Sequence, residues 1–288
     1  MSSRILPQFE LLLPQSIEEA ISALEAHGDQ AAVMAGGTDL MVLMKTGFSP
    51  AVLVSLCELA GLDYVEFDSA GGLRLGAMAT LAQVESSPVV KEHYPALWAS
   101  ARANGTPQTR RMGTVVGNIL RASPAGDCCC AVLAIGGSVV LEGPRGRREV
   151  DIDQFWQDYR VTARQPEELA IELKLPSPAP GARSAFAALT RTYFDLAKIN
   201  AAASLVMDDG ACQAVRLAMG AVAPTPLRLK ACEQLLQGRE ATEDLLDQAA
   251  ESASAEISPI DDVRSTADYR RQVAGVLLKR VIQQALAT

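Results

Sequence analysis

Between Ser16 and Leu24 the apolar residues Ile17, Ala20, Ile21 and Leu24 share one helical face, and Ser16 with Glu19 three residues on is the pattern of a capping box. A helix closed by Gly28 is predicted there. The apolar run at 31–35 reads as a buried strand that breaks at Gly36-Gly37 and resumes as the helix-like Leu40-Met41-Val42-Leu43-Met44-Lys45. Residues 52–56 form another short buried strand. A hairpin pairs 62–67 with 73–77 about Gly71-Gly72, and a helix opens at Thr80. A further helix over 95–103 ends at Asn104-Gly105. Residues 112–119 form a second glycine-bearing loop, after which Ser123 or Asp127 caps a helix running through Ile135. A hairpin at 138–142 and 147–152 turns about Gly143-Pro144-Arg145-Gly146, and 169–175 alternates as a strand does.

The clearest linker is Pro176-Ser177-Pro178-Ala179-Pro180-Gly181. Beyond it the pattern changes to alternating strands at 185–191, 201–207 and 212–219, with Asp208-Asp209-Gly210 as a hairpin turn. Helices follow at 227–236, 242–255 and 266–286. Strands followed by helices indicate a separate α+β domain. A length of 288 residues also suits two domains. The division expected is 1–176, with subdomains of about 1–57 and 58–176, and then 177–288.

Composition narrows the chemistry. Apolar residues make up 49% and aromatics only 5%, so Ala, Leu, Val and Ile must fill the core. A net charge of −8 argues against a broad nucleic-acid surface, and the basic clusters at Arg110-Arg111 and 145–148 suit solvated turns. No run approaches the roughly 18–20 apolar residues of a membrane span. Residues 1–10 lack a signal-peptide pattern, so a cytoplasmic location is expected. Of the six cysteines, Cys128, Cys129 and Cys130 are consecutive and none forms a C-x-x-C pair. Neither a zinc nor an iron–sulfur motif is visible, and buried helical thiols are expected. His27 and His93 are the only histidines, which leaves little for a histidine-based metal site or triad.

A strand that turns on paired glycines into a helix gathers backbone N–H groups at one point, a natural seat for phosphate. The segment around Gly36 and Gly37 suits that role, and equally suits a plain strand–turn–helix junction.

Three elements occur in order: Ala35-Gly36-Gly37-Thr38-Asp39-Leu40, then Gly113-Thr114-Val115-Val116-Gly117-Asn118-Ile119, then Ala122-Ser123-Pro124-x-x-Asp127. Together they resemble the FAD-binding medium subunit of the molybdenum hydroxylases, the group of xanthine dehydrogenase and carbon monoxide dehydrogenase. The similarity extends from Pro14 to Arg191-x-x-x-Asp195-Leu196-Ala197-Lys198, nearly the whole chain. It implies an α+β fold: a two-subdomain FAD-binding domain (PCMH/VAO-like), followed by a smaller α+β domain with a three-stranded antiparallel sheet and helices. By the resemblance, Val33, Met34, Ala35, Gly36, Gly37, Thr38, Asp39 and Leu40 form one cofactor loop. Thr114, Val115, Val116, Gly117 and Asn118 form the other, and the two hold the FAD pyrophosphate and ribityl chain from two sides. Asp127 falls where the family has an acidic residue bonding the cofactor. Backbone N–H groups would neutralise the diphosphate without Lys or Arg, which suits an acidic protein. Asp39 is expected to cap its own turn or face away. No catalytic acid or base and no metal ligand is assigned.

Three positions depart from the family pattern. Val116 stands in place of a glycine, Arg111 in place of a frequent Asn, and Ala187 in place of a lysine near the flavin. The implied role is electron transfer inside a larger enzyme. A small subunit with [2Fe–2S] clusters and a large molybdopterin subunit are the implied partners, in a dimer of heterotrimers. This chain would take electrons singly from a cluster, gather two on FAD and pass them to an external acceptor. A flavin-free scaffold and a self-sufficient flavin oxidoreductase are the alternatives. Gly37→Val is expected to abolish flavin retention and Cys129→Ser to leave it intact.

Overall fold

A computed structural model describes residues 5–288, so the first four positions of the N-terminal reading lie outside it. Strand β1 (Glu10–Leu12), helix α1 (Ile17–His27), β2 (Ala31–Met34), α2 (Leu40–Lys45) and β3 (Val52–Ser55) make the first unit. Its three strands are parallel in the order β1-β3-β2, with the central β3 buried at every position. Ser16 Oγ accepts from the Glu19 N–H at 3.2 Å, as the cap pattern predicts. The Glu19 carboxylate accepts from Gln15, one residue before the expected partner, at 2.7 Å.

The second unit runs β4 (Val65–Asp68), β5 (Gly72–Gly76), α3 (Leu81–Ser86), α4 (Pro88–His93), α5 (Pro95–Ala103), α6 (Pro107–Met112), α7 (Val115–Leu120) and α8 (Asp127–Ile135). It continues through β6 (Ser138–Gly143), β7 (Gly146–Asp151), α9 (Ile152–Phe155), the small pair β8 (Trp156–Asp158) and β9 (Val161–Thr162), and β10 (Leu169–Leu175). An antiparallel five-stranded sheet results, ordered β4-β5-β10-β6-β7. The segment expected as a second glycine-bearing loop is instead helical over α7. Thr114 is its N-cap and accepts from the Gly117 N–H at 3.0 Å, while Val115, Val116 and Ile119 bury one face. Helix α8 starts without a side-chain cap: Gly126 is its N-cap and Asp127 its first helical residue, not the capping residue expected.

After the linker come β11 (Ala182–Leu189), β12 (Ile199–Asp208), β13 (Ala211–Gly220), β14 (Leu227–Arg228), α10 (Lys230–Leu236), α11 (Glu243–Glu256) and α12 (Ala267–Leu286). Asp209 and Gly210 adopt φ of 45° and 82°, the left-handed pair that a tight hairpin of this twist requires. The sheet has a fourth, two-residue strand where a helix was expected from 227. Leu227 and Arg228 pair with Met219 and Ala218, and Arg228 is drawn to Glu233 at 2.6 Å and Asp153 at 2.8 Å, so the helix begins at Lys230.

Alternation along the C-terminal sheet joins two cores. Ala202 and Ala218 face the core of the first two units, with Phe186, whereas Ala201, Ala203 and Leu217 face helices α10 to α12. The proline-rich linker is itself tied down: Tyr94 donates to Pro176 O at 2.9 Å and Ser177 to Ser69 O at 2.6 Å.

Candidate cofactor-binding site

A cavity of about 470 Å³ opens where the first unit, the helical layer of the second and the β11–β12 connection meet. Of the residues expected at a site, Val33, Met34, Ala35, Gly36, Gly37, Thr38, Asp39 and Leu40 line it from one side. Thr114, Val116, Gly117, Asn118 and Asp127 line it from the other. Val115 does not: its side chain is fully buried and its N–H donates to Ala79 O at 3.1 Å.

The two glycines of the first loop do different work. A Cβ on Gly36 would lie 1.7 Å from the carbonyl oxygen of Met112, so its bareness lets the first loop press on the α6–α7 junction. Gly37 has φ of +68°, and a Cβ there would meet nothing nearer than Met34 Sδ at 3.5 Å. Its need is conformational. Among the described residues, no protein group accepts from the N–H groups of Gly36, Gly37, Thr38 or Asp39, whereas those of Met41 and Leu43 bond to Gly37 O and Asp39 O. On the facing side the Gly117 N–H goes to Thr114 Oγ1 and the Asn118 N–H to Thr114 O, which leaves the Val116 N–H. The first loop therefore carries most of the free donors.

Asp39 does not cap its turn. Its backbone is already helical (φ −89°, ψ −43°), so its side chain is not placed over the next N–H groups as an extended capping residue would be. It faces Arg121, with Oδ1 at 3.4 Å from Nε. Asp127 is buried and accepts from Asn200 Nδ2 at 2.7 Å, an interaction that crosses from the C-terminal sheet. Burial pushes its carboxyl up to about 7, and the Asn200 hydrogen bond pulls only partly against that.

Two arginines at the cavity escaped the sequence reading, Arg121 and Arg164. Arg164 Nη1 donates to the carbonyls of Gln165, Pro166 and Glu168, and burial holds its pKa below the usual range. Arg121 follows the apolar pair Ile119-Leu120, and a lone charge in that setting was the available signal. Phe194, Asp195 and Leu196 bring a third side, with Asp195 held by Arg191 at 3.0 Å. Phe194 and Leu196 are exposed apolar residues at the mouth. Of the departing positions, Val116 contributes to the wall with a buried side chain, Arg111 is exposed, and Ala187 packs on the second core away from the cavity.

Arg110 fixes another wall. It is 5% exposed, pairs with Glu85 at 2.7 Å and donates to Gly105 O at 2.9 Å beside the cavity. Glu85→Ala strands that guanidinium and is expected to cost about 2–3 kcal/mol in urea unfolding, since Glu85 is partly exposed and water compensates some of the loss.

Among the described residues no group of His, Cys, Asp or Glu could hold a metal ion, and no helix is long and apolar enough to cross a membrane. Cys128, Cys129 and Cys130 are fully buried on α8, and burial raises all three thiols above their ordinary range.

The family described as the FAD binding domain in molybdopterin dehydrogenase matches residues 7–178, and the CO dehydrogenase flavoprotein C-terminal domain matches residues 184–285. The carbon monoxide dehydrogenase medium chain of Hydrogenophaga pseudoflava is 32% identical over 282 residues, 98% of each chain. That of Afipia carboxidovorans is 31% identical, covering 97% of each. The solved carbon monoxide dehydrogenase from Hydrogenophaga pseudoflava that lacks the Mo-pyranopterin moiety superposes with a TM-score of 0.95 at 33% identity, over 98% of this chain and 99% of that one. With both of its domains matched in order and relatives aligned end to end, the chain belongs to the family of FAD-binding medium subunits of the molybdenum hydroxylases, which are subunits of FAD-dependent oxidoreductases.

Proposed function

We propose that this chain is the electron-transfer subunit of a molybdenum hydroxylase, holding FAD in the cavity between 33–40 and 114–118. The observation that carries the reading is the set of unbonded N–H groups of Gly36, Gly37, Thr38 and Asp39 on one wall. Such a set suits a diphosphate, the group that anchors FAD through its middle. When bound, the flavin supplies chemistry in one- and two-electron steps. The chain's own residues bind and orient it. The first loop would take most of the diphosphate charge, with the Val116 N–H and the Asn118 side chain facing it. Asp127, steadied by Asn200, would accept from a cofactor hydroxyl. Phe194 and Leu196 would narrow the mouth against water. No group here is placed as an acid or base.

The relatives are medium chains, a term that implies larger and smaller companions. We infer a small subunit with [2Fe–2S] clusters and a large subunit with the molybdopterin cofactor, assembled as a dimer of heterotrimers in the cytoplasm. Electrons would enter from the clusters and leave to an external acceptor. In this reading residues 1–176 hold the cofactor, and 177–288 close the cavity with the β11–β12 connection.

Purified full chain, soaked with FAD and desalted, is expected to show flavin absorbance near ~450 nm and to bring down two further chains from its native host. A colourless protein in that experiment favours the flavin-free scaffold. Turnover of a substrate by the chain alone favours a self-sufficient oxidoreductase.

A further inference from the structure

Arg121 ends helix α7 with its side chain 16% exposed, lining the cavity. Its Nε is buried and has no hydrogen-bond partner among the described residues. Among the described residues the charge has one ionic neighbour, Asp39 Oδ1 at 3.4 Å, and the Asp39 side chain is 59% exposed. A guanidinium largely out of water needs close, aligned acceptors, and a single loose carboxylate leaves it under-compensated. Arg164 is different, because three carbonyls already occupy its Nη1.

We propose that Arg121 is a cofactor-contacting residue that pairs with the FAD diphosphate, and that Asp39 is its replaceable counter-ion. The inference rests on the flavin reading above and adds a side-chain charge to a clamp otherwise made of backbone. Asp39 belongs to the loop whose N–H groups are free, so Arg121 reaches toward that loop from the facing wall. The guanidinium offers an Nε–H and a terminal N–H along one edge, the pair of donors that two oxygens of a phosphate accept together. The Asp39 carboxylate, more than half in water, turns outward with little desolvation to reverse. This also resolves how an acidic side chain can sit beside a diphosphate.

The test is FAD titration of the deflavinated full chain, followed by flavin fluorescence, with urea unfolding of the same chains before FAD is added. Arg121→Gln is expected to weaken FAD binding about tenfold and to leave the urea midpoint of the empty chain unchanged or raised, since the guanidinium is under-compensated without the diphosphate. Asp39→Asn is expected to bind FAD at least as tightly as wild type. Arg121→Gln binding within twofold of wild type overturns the proposal. So does a lowered midpoint beside the binding loss, which marks a packing defect, or a loss in Asp39→Asn that matches the one in Arg121→Gln. A wild-type chain that takes up no FAD overturns the flavin reading itself, and this proposal with it.

Discussion

Gly36→Ala is expected to strip the chain of flavin and lower its stability together, by about 3 kcal/mol or more. The added methyl would sit 1.7 Å from Met112 O, 2.4 Å from Met112 C and 3.0 Å from Gly113 N. All three are backbone atoms, so no rotamer change relieves the clash. The first loop and the α6–α7 junction must part, and these are the two walls of the cavity. Gly37→Ala makes the contrast. Its Cβ would find ordinary contacts at 3.5 Å and beyond, and the cost is the left-handed φ of +68°, about 1 kcal/mol. A β-branched residue at Gly37 is strained further, so Gly37→Val still harms the loop, but the steric keystone is one residue earlier. Urea midpoints and the FAD-to-protein ratio after desalting read both effects. A Gly36→Ala chain that keeps the wild-type midpoint and full flavin would show that the two segments do not meet there.

Cys129→Ser belongs to the same comparison. Cys129 Sγ lies 3.6 Å from Asn118 O, a position from which a serine hydroxyl could donate. The substitution is expected to keep flavin, as the thiol lies behind the wall and not on it.

The elements most legible in the chain were those whose burial pattern is local. The run that ends at Gly36-Gly37, the helix after it, the long alternating strands of the second domain and its two last helices all follow from spacing that each segment carries itself. The segment 112–119 read as a loop because Thr, Gly and Asn are poor helix formers. What makes it helical is a threonine cap and a valine pair pressed into a core assembled from distant strands. Strand β14 depends on Arg228 finding Glu233 and Asp153, the latter 75 residues away in sequence. The site divides the same way. Glycines and Asp127 were visible as motif, whereas Arg121 became a candidate only once its unpartnered Nε was seen beside Asp39. Charge pairing across a cleft leaves no periodic trace.

Asp127 offers the sharpest pH signature. Its carboxyl is raised from 3.8 to about 7 by burial, so between those values the folded chain holds a proton that the unfolded chain has released. Stability must therefore fall as pH rises from about 4 to about 7 and level off above, with a total on the order of 4 kcal/mol for this one group. Below that window both states are protonated and the group is silent. Asp127→Asn removes the penalty. It also keeps its neighbour: the introduced carboxamide oxygen can accept from Asn200 Nδ2 as the carboxylate does, while Nδ2 still donates to Ala125 O. Deflavinated Asp127→Asn chain should match wild type in urea unfolding near pH 4 and exceed it by a few kcal/mol at pH 8. A constant difference across that range would remove Asp127 as the source of the slope. Flavin affinity should move the other way at pH 8. A carboxamide oxygen can still accept from a cofactor hydroxyl, but a bond to a charged acceptor contributes about 1.5–3 kcal/mol against about 0.5–1.5 for a neutral one, so the variant should bind FAD several-fold to about tenfold more weakly. A buried carboxyl that destabilises the empty fold and tightens its ligand is what a binding group looks like when it is kept for function, and the opposed signs of the two measurements separate that role from packing.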